Sequence, residues 1–575
     1  MASNSNSFDL GSDRGEWGAP QKRVAGSKTV GDIMPAGSQL SRRALLAGTA
    51  ASLAVPLMPR RSRAQSQPSE AAWRDLNDKM IKSGGVIRPH DPRFVRLTLP
   101  ENLRYYNPPA QPGNGPPDPD APFGLVRPTT PEEVAYAIQW SIDNKLPMVA
   151  RSGGHSYAGC STAPGLVISS SAMQSVKVVK VEGEGDVVVA GGGALFGHML
   201  AGLRDFEVPG GTNTGRYTVT HGRCAGVGLS AYLMGGGWTL DSVHAGMGCD
   251  RVESVDIVLM DGTKPQPVTA SKDQNPELFW AVRGGGGGNL GFATSWRLKP
   301  ILVDRVTAFS GSWRLGDNAH SVFRTLLRAL DAAPDTLGAE ITISTTSATI
   351  KSPWRYQINL SCQLHQLLGA PYTFESILGA ALAAADRAEQ RDCWFENCSK
   401  KDLQVLPYWQ AQEFFEVIGS PNRYQETSLF AREVSDDFIG AFFGVWPSWP
   451  GTVSAARMTC YRTGGKVNLP STDAMAFVHR SSRWIVTTDI DWSGEGSPQA
   501  VADNLKWQRE VQNHFSAMLG NPGSYYNFPD PGLKDHATAY WGSNLGQLAN
   551  IKRRIDPNTV FTPPRNQWIV PPVPV

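Results

Sequence analysis

Apolar positions along this chain recur with the periods of both strands and helices. Val187–Ala190 and Val255–Met260 are β-branched runs bounded by glycine or aspartate, and they predict buried strands. Thr130-Pro131-Glu132-Glu133-Val134 predicts a helix start, with a hydroxyl cap, proline at the first helical position and two acids in the first turn. That helix should end before Pro147, and Met148–Ala150 should follow as a short strand feeding a turn at Arg151–His155. Residues 72–302 therefore read as one α+β unit. From 303 to 515 strand-like runs at Ala339–Ser344, Tyr356–Ser361 and Trp484–Trp492 interleave with helical ones, clearest over Thr373–Arg387. The last 60 residues, 516–575, form a third segment.

Ahead of residue 72 the pattern changes. Ser41-Arg42-Arg43-Ala44-Leu45-Leu46 is a twin-arginine pattern running into the apolar stretch Ala44–Met58. Fifteen residues are too few to span a bilayer, which takes about 20, but they suit the core of a signal peptide. Ser62-Arg63-Ala64 offers small residues for cleavage, so residues 1–64 read as a leader and twin-arginine signal, with Met34 as an alternative start. The expectation is an exported protein, periplasmic or secreted, whose partner in transit is the twin-arginine machinery. No other segment is apolar enough to span a membrane. The formal charge is only +2, from 54 basic and 52 acidic residues, which gives no reason to expect nucleic acid or an anionic membrane as partner. Seven cysteines show neither a disulfide framework nor a metal-binding spacing, and Cys393 and Cys398 are the closest candidates for a pair.

Three glycine-rich blocks carry the candidate chemistry. In Arg151-Ser152-Gly153-Gly154-His155-Ser156-Tyr157, adjacent glycines leave backbone N–H groups free to converge on an anion. Cys224-Ala225-Gly226-Val227-Gly228 is followed by Gly235-Gly236-Gly237-Trp238, then Gly246, Gly248 and Asp250. So much glycine around one cysteine suits a chain lying against a flat, bulky ligand. The third block runs from Asn275 through Trp280 and Arg283 into Gly284–Gly288 and Gly291. None of these blocks follows a strand, opens a helix and meets an acid about 20 positions on, so a Rossmann reading is rejected. A phosphate-loop motif is also missing from the sequence.

Taken in order, these blocks resemble the berberine-bridge-enzyme-like branch of the vanillyl-alcohol-oxidase flavoproteins. Arg151–Gly159 matches the pattern RSGGHSYxG, Cys224–Gly237 a cysteine-glycine pattern, and Asn275–Gly291 a tryptophan and polyglycine pattern. Gly464–Asn468, Ala476–Arg480, Ser524–Asp530 and Tyr540–Asn544 with Asp556-Pro557-Asn558 and Phe561 resemble its later blocks, so the likeness runs over about residues 85–570. The resemblance implies a two-domain α+β fold of the PCMH FAD-binding type. In it, 72–302 and the returning 516–575 would hold FAD, and 303–515 would be a substrate domain of antiparallel sheet backed by helices. It also implies that FAD is bonded covalently to His155 and Cys224. Arg151, Ser152, Gly153, Gly154, Ser156, Tyr157, Gly159, Val227, Gly228, Gly235, Gly236, Gly237, Gly248 and Asn544 would complete the cofactor site. Valine at 227 accompanies oxidases in the family, so dioxygen is the expected acceptor and peroxide the product.

For the substrate proton, the strand after His479-Arg480 places Thr487, Asp489 and Asp491 on one face, because alternate strand residues share a face. Asp489 is the expected base and Tyr525 its relay, with Tyr157 and Glu426 as further candidates. Three departures from the family pattern bear on the site: Ser169-Ser170-Ser171 lacks the usual acid, Ala231 replaces a glycine and Phe528 a tyrosine. Aromatic residues in the presumed substrate region, among them Trp394, Trp409, Trp446 and Trp449, favour a sugar oxidised at its anomeric hydroxyl to a lactone. Oxidation of a secondary metabolite or aryl alcohol, and a flavin-bearing binding protein with little turnover, are the competing readings.

Overall fold

A computed structural model describes residues 67–105, 121–183, 185–204, 206, 216–366, 371–392, 400–416, 422–492 and 497–572. The twin-arginine stretch and the Cys393–Cys398 pair lie outside them. The strands in chain order are β1 (Gly124–Val126), β2 (Met148–Arg151), β3 (Leu166–Ser169), β4 (Val176–Val181), β5 (Gly185–Gly191), β6 (Arg216–Thr218), β7 (Val252–Asp261), β8 (Lys264–Ser271) and β9 (Phe292–Leu298). Then come β10 (Ile301–Val303), β11 (Arg305–Leu315), β12 (Leu337–Thr346), β13 (Tyr356–His365), β14 (Lys400–Pro407), β15 (Arg423–Ala431), β16 (Ala455–Arg462) and β17 (Trp484–Trp492).

They form a parallel sheet in the order β1-β3-β2, an antiparallel sheet β4-β5-β9-β7-β8, and a larger antiparallel sheet β14-β11-β13-β12-β16-β17-β15. The helix Pro131–Asp143 connects β1 to β2, with the Thr130 hydroxyl accepting from the Glu133 N–H at 3.2 Å, as the sequence anticipates. Helices over Ala319–Ala332, Asp436–Val445 and Pro498–Met518 cover one face of the large sheet, where Trp313, Ile341, Leu429, Met458, Trp484, Val486 and Phe515 share one apolar core. The helix expected over 373–387 is present, but it opens with a π turn at Glu375–Gly379 and then runs as α-helix from Ala380 to Asp392. A second apolar core joins the five-stranded sheet to the C-terminal helix Leu545–Ile555.

The two sheet systems meet across a third core containing Trp238, Leu240, Val306, Tyr408, Phe430, Phe477, Ile485 and Tyr525. A short ladder of β6 with β10 sits beside this junction and leads directly into the segment that carries Cys224. Among the described residues no helix is long and apolar enough to cross a membrane.

The face of the large sheet away from its covering helices is mostly polar, with Phe430 and Ile485 packed into the third core. Register places Glu340, Tyr461, Ile485 and Phe430 in one cross-strand row, and Thr342, Thr459, Thr487 and Ser428 in the next. Ser344, Arg457, Asp489 and Glu426 follow in a third. Alternation by two sends their neighbours into the helix-side core.

Candidate active site

A cavity of about 450 Å³ lies between this polar face and the glycine-rich loops. The turn after β2 supplies Arg151–Tyr157 to its wall, the segment after β6 supplies Gly222–Cys224, Val227 and Gly228, and the C-terminal segment supplies Tyr525–Pro529, Phe561–Pro563 and Gln567. The two loops with the expected attachment residues interlock. A Cβ on Gly153 would sit 2.3 Å from the Gly226 carbonyl oxygen, and one on Gly226 would sit 2.6 Å from His155 Nε2. Only glycine lets these backbones approach so closely. Burial and the nearby Arg151 guanidinium lower His155 to about 4, so its imidazole is neutral near pH 7. Burial pushes the Cys224 thiol up, and Arg223 opposes that shift.

The remaining expected cofactor residues divide into wall and support. Arg151 donates from its buried guanidinium to the carbonyls of Leu99 at 2.6 Å and Thr98 at 3.3 Å, which fixes the turn from behind. Ser152 lines the cavity, and its buried hydroxyl has no protein partner. The Ser156 hydroxyl accepts from the Cys160 N–H, and the Gly159 N–H donates to the Ser156 carbonyl, closing the loop. Tyr157 lines the cavity, stacks on Phe528 with centroids 5.6 Å apart, and meets Tyr424 edge-on. Gly159, Gly235, Gly236, Gly237, Gly248 and Asn544 are not in the cavity wall. Gly248 donates to the Gly237 carbonyl, and Asn544 donates to the carbonyls of Thr472 and Met475, so both act as supports.

Of the two expected catalytic residues, the structure brings only Tyr525 to the cavity. Its hydroxyl oxygen accepts from the N–H groups of Trp238 at 2.7 Å and Gly237 at 2.9 Å, and from Asn527 Nδ2 at 3.2 Å. Burial raises this phenol, and the three donors pull in the opposite direction, because each favours a phenolate. Asp489 is not in the wall. It lies on the polar face as expected, but Arg457 takes it up at 2.6 Å and binds Asp491 as well. Burial raises the Asp489 carboxyl against the opposing pull of Arg457. Opposite it in register, Glu426 is held well above the usual carboxylate range by burial and then by the Asp489 charge.

Sequence reasoning missed several wall residues. Glu340 from β12 pairs with Arg223, next to Cys224, while its second oxygen Oε2 is buried without a partner. Trp238 and Tyr461 pack edge to face, with centroids 4.7 Å apart. The tryptophans expected to serve substrate are placed otherwise. Trp446 and Trp449 are buried in the helix-side core, Trp409 stacks with Arg204, and Trp394 lies outside the described residues. Trp238 was signalled only by its place after the triple glycine.

The walls fit FAD. Interlocked glycine turns give a close approach, Ser152 lines the cavity with its buried hydroxyl unpartnered, and a neutral histidine and a thiol stand on adjoining loops.

Comparison with known proteins agrees. An FAD binding domain model matches residues 122–264, and a berberine and berberine-like model matches 524–566. The uncharacterized FAD-linked oxidoreductase YgaK of Bacillus subtilis strain 168 is 25% identical over 447 residues, spanning 77% of this chain and 89% of that protein. Xylooligosaccharide oxidase of Thermothelomyces thermophilus is 26% identical over 471 residues, 78% of this chain and 87% of its own. Among solved structures, berberine bridge enzyme from Eschscholzia californica superposes with a TM-score of 0.66 at 20% identity, covering 87% of this chain and 99% of that one. The chain carries an FAD binding domain and a berberine-like C-terminal segment, and it is similar to the FAD-linked oxidoreductases.

Proposed function

We propose that this protein is an exported oxidase that holds FAD through His155 and Cys224 and oxidises the anomeric hydroxyl of an oligosaccharide to a lactone. The observation that carries the reading is the single cavity walled by His155, Cys224 and Tyr525 together, with the polar sheet face beside it. When bound, FAD supplies a hydride acceptor and returns the electrons to dioxygen, giving hydrogen peroxide. Residues 72–302 with 516–575 hold the cofactor, and 303–515 hold the substrate.

Tyr525 takes the proton of the alcohol oxygen, and the donors Trp238, Gly237 and Asn527 stabilise the phenolate that this role requires. Asp489, opposite Glu426 in register and clamped by Arg457, is the negative group that keeps a proton in store on the polar face. Val227, in the wall beside Cys224, leaves dioxygen room to approach. A carbohydrate suits the site because the sheet presents Glu340 and Tyr461 to the cavity, and Glu340 Oε2, which no protein donor satisfies, suits a sugar hydroxyl. The xylooligosaccharide oxidase among the relatives supports the same substrate class. The aromatic lining of Tyr157, Phe528, Trp238 and Tyr461 also suits an aryl alcohol or a glycosylated secondary metabolite, which is the second reading. Export by the twin-arginine route matches a cofactor attached before translocation.

The test is flavin fluorescence on a denaturing gel for the wild type, His155→Ala, Cys224→Ala and the double variant, followed by a peroxide screen against xylobiose, cellobiose and aryl alcohols. Flavin retained by the wild type and both single variants but lost from the double variant is the expected result. Flavin lost from the denatured wild type overturns the attachment, and peroxide from aryl alcohols but not sugars overturns the substrate class.

A further inference from the structure

One ion pair in the cavity wall crosses from the segment that carries Cys224 to the large sheet. Arg223, which follows β6, donates from Nη2 to Oε1 of Glu340 on β12, and Arg223, Cys224 and Glu340 all line the cavity. Glu340 is buried and Arg223 half-buried, so a fixed carboxylate decides where the guanidinium charge stands. That place is one residue from the cysteine.

A cysteine reacts as its thiolate, and burial works against that form at Cys224. The His155 ring supplies no charge to offset this, because burial and then Arg151 hold it neutral near pH 7. Arg151 itself is committed to the carbonyls of Leu99 and Thr98 behind its own turn. Of the charged groups acting most strongly on Cys224, Arg223 favours the thiolate, and the carboxylates of Glu101, Glu340 and Glu416 oppose it. The phenols of Tyr157 and Tyr424 stand near enough to feel a charge on Cys224, and burial raises both, so they remain neutral near pH 7. Burial also raises the Glu340 carboxyl against the pull of Arg223. Arg223 is thus the cation placed to favour a negative sulfur.

We propose that Arg223, held in the cavity wall by Glu340, is the positioning residue that prepares Cys224 to bond to the flavin. The inference rests on the reading that Cys224 is an attachment residue. In that reaction the thiol proton leaves to solvent, and the sulfur electron pair forms the sulfur–carbon bond as a ring proton leaves. Two electrons remain in the flavin until dioxygen withdraws them as hydrogen peroxide. Arg223 exchanges no proton or electron in this sequence. It acts through Cys224 by favouring the negative sulfur, and Glu340 keeps the guanidinium beside it. His155, on the opposite loop, does not depend on the pair.

The experiment is peptide mapping of flavin linkage in the purified holoprotein, wild type beside Arg223→Gln, Arg223→Lys and Glu340→Gln. Glutamine at 223 still offers Glu340 an N–H donor but carries no charge. The expected result for Arg223→Gln is a Cys224-linked fraction lowered roughly tenfold, the thiolate lost when one neighbouring charge is removed, with the His155-linked peptide undiminished. Incubating this variant in air at rising pH should restore the Cys224 link, each unit speeding it about tenfold while the thiol is still mostly protonated. Arg223→Lys should keep the link. Glu340→Gln leaves an acceptor for Arg223 and removes an opposing charge, so it should link no less than the wild type. If Arg223→Gln fails to fold, the double variant with Glu340→Gln strands no carboxylate and stands in, with a loss in the same direction. A full Cys224 link near pH 7 in whichever of these two variants is read overturns the proposal. So does a loss that rising pH leaves unrepaired, an equal loss in Glu340→Gln, or an equal loss in Arg223→Lys. If the wild type itself lacks the Cys224 link, the attachment reading has failed, a result distinct from failure of the Arg223 role.

Discussion

Replacing Tyr525 with phenylalanine removes one oxygen and separates two consequences of different size. The ring keeps its packing against Phe430, Phe477 and Phe528. Two buried backbone donors, Gly237 and Trp238, lose their acceptor, whereas the Asn527 amide still donates to the Tyr232 carbonyl at 2.9 Å. Each stranded donor costs roughly 1–3 kcal/mol, so stability should fall by about 2–6 kcal/mol. Loss of a positioned base slows proton transfer by about 10²–10⁴-fold, equivalent to about 3–5 kcal/mol of barrier. The assay is anaerobic stopped-flow reduction of the bound flavin across a pH series, with thermal unfolding in parallel. In the wild type the reduction rate should rise with pH as the phenol gives up its proton. The variant should be slow and flat while retaining its flavin. If Tyr525→Phe reduces flavin within about threefold of the wild type, the base is elsewhere and the three donors are structural.

Gly153→Ala places a methyl against the Gly226 carbonyl, and overpacking of this kind costs about 1–3 kcal/mol. The flavin-to-protein absorbance ratio of the purified variant should fall, because the His155 and Cys224 loops can no longer close on each other. Lys552→Met leaves Asp556 charged and buried, and it removes donors to the carbonyls of Asn289 and Phe561. Denaturant unfolding should register a loss of about 3–5 kcal/mol. His479 is buried against Phe430 and depressed to about 3 by burial, so between pH 6.5 and 3 the unfolded chain binds a proton the folded one refuses. That proton lowers stability by about 1.4 kcal/mol per unit as pH falls through this window. Melting curves of His479→Asn should show a correspondingly shallower acid slope than the wild type.

Much of the fold is written in local pattern. The cap at Thr130, the strand Trp484–Trp492 and the glycine turns all obey short-range rules, and the structure places them where those rules predict. The site is less legible wherever it depends on register between distant strands. Glu340 reaches Arg223 across 117 residues, and nothing local to either announces the pairing. The alternation of β17 places Asp489 on the correct face, yet only the neighbouring β16 shows that Arg457 occupies its carboxylate. Tryptophan frequency misled for a related reason: Trp446 and Trp449 lie on the apolar side of the same sheet, and composition does not record sides. The family resemblance located the His155 and Cys224 loops, but their direct contact at Gly226 and His155 is a property of the folded chain.

The large sheet has one face sealed by helices and one left polar, and strict alternation divides β12, β15, β16 and β17 between them. Neighbouring residues on one strand are therefore under separate selection. Exchanges at 340 or 461 alter what the sheet presents to the cavity, whereas exchanges at 341, 429, 458 or 486 alter the helix-side packing that keeps the domain folded. A lineage diversifying on this scaffold would accumulate its changes at every second codon of those strands. Directed libraries confined to the polar positions should yield folded proteins at a far higher rate than libraries spread evenly along the strands.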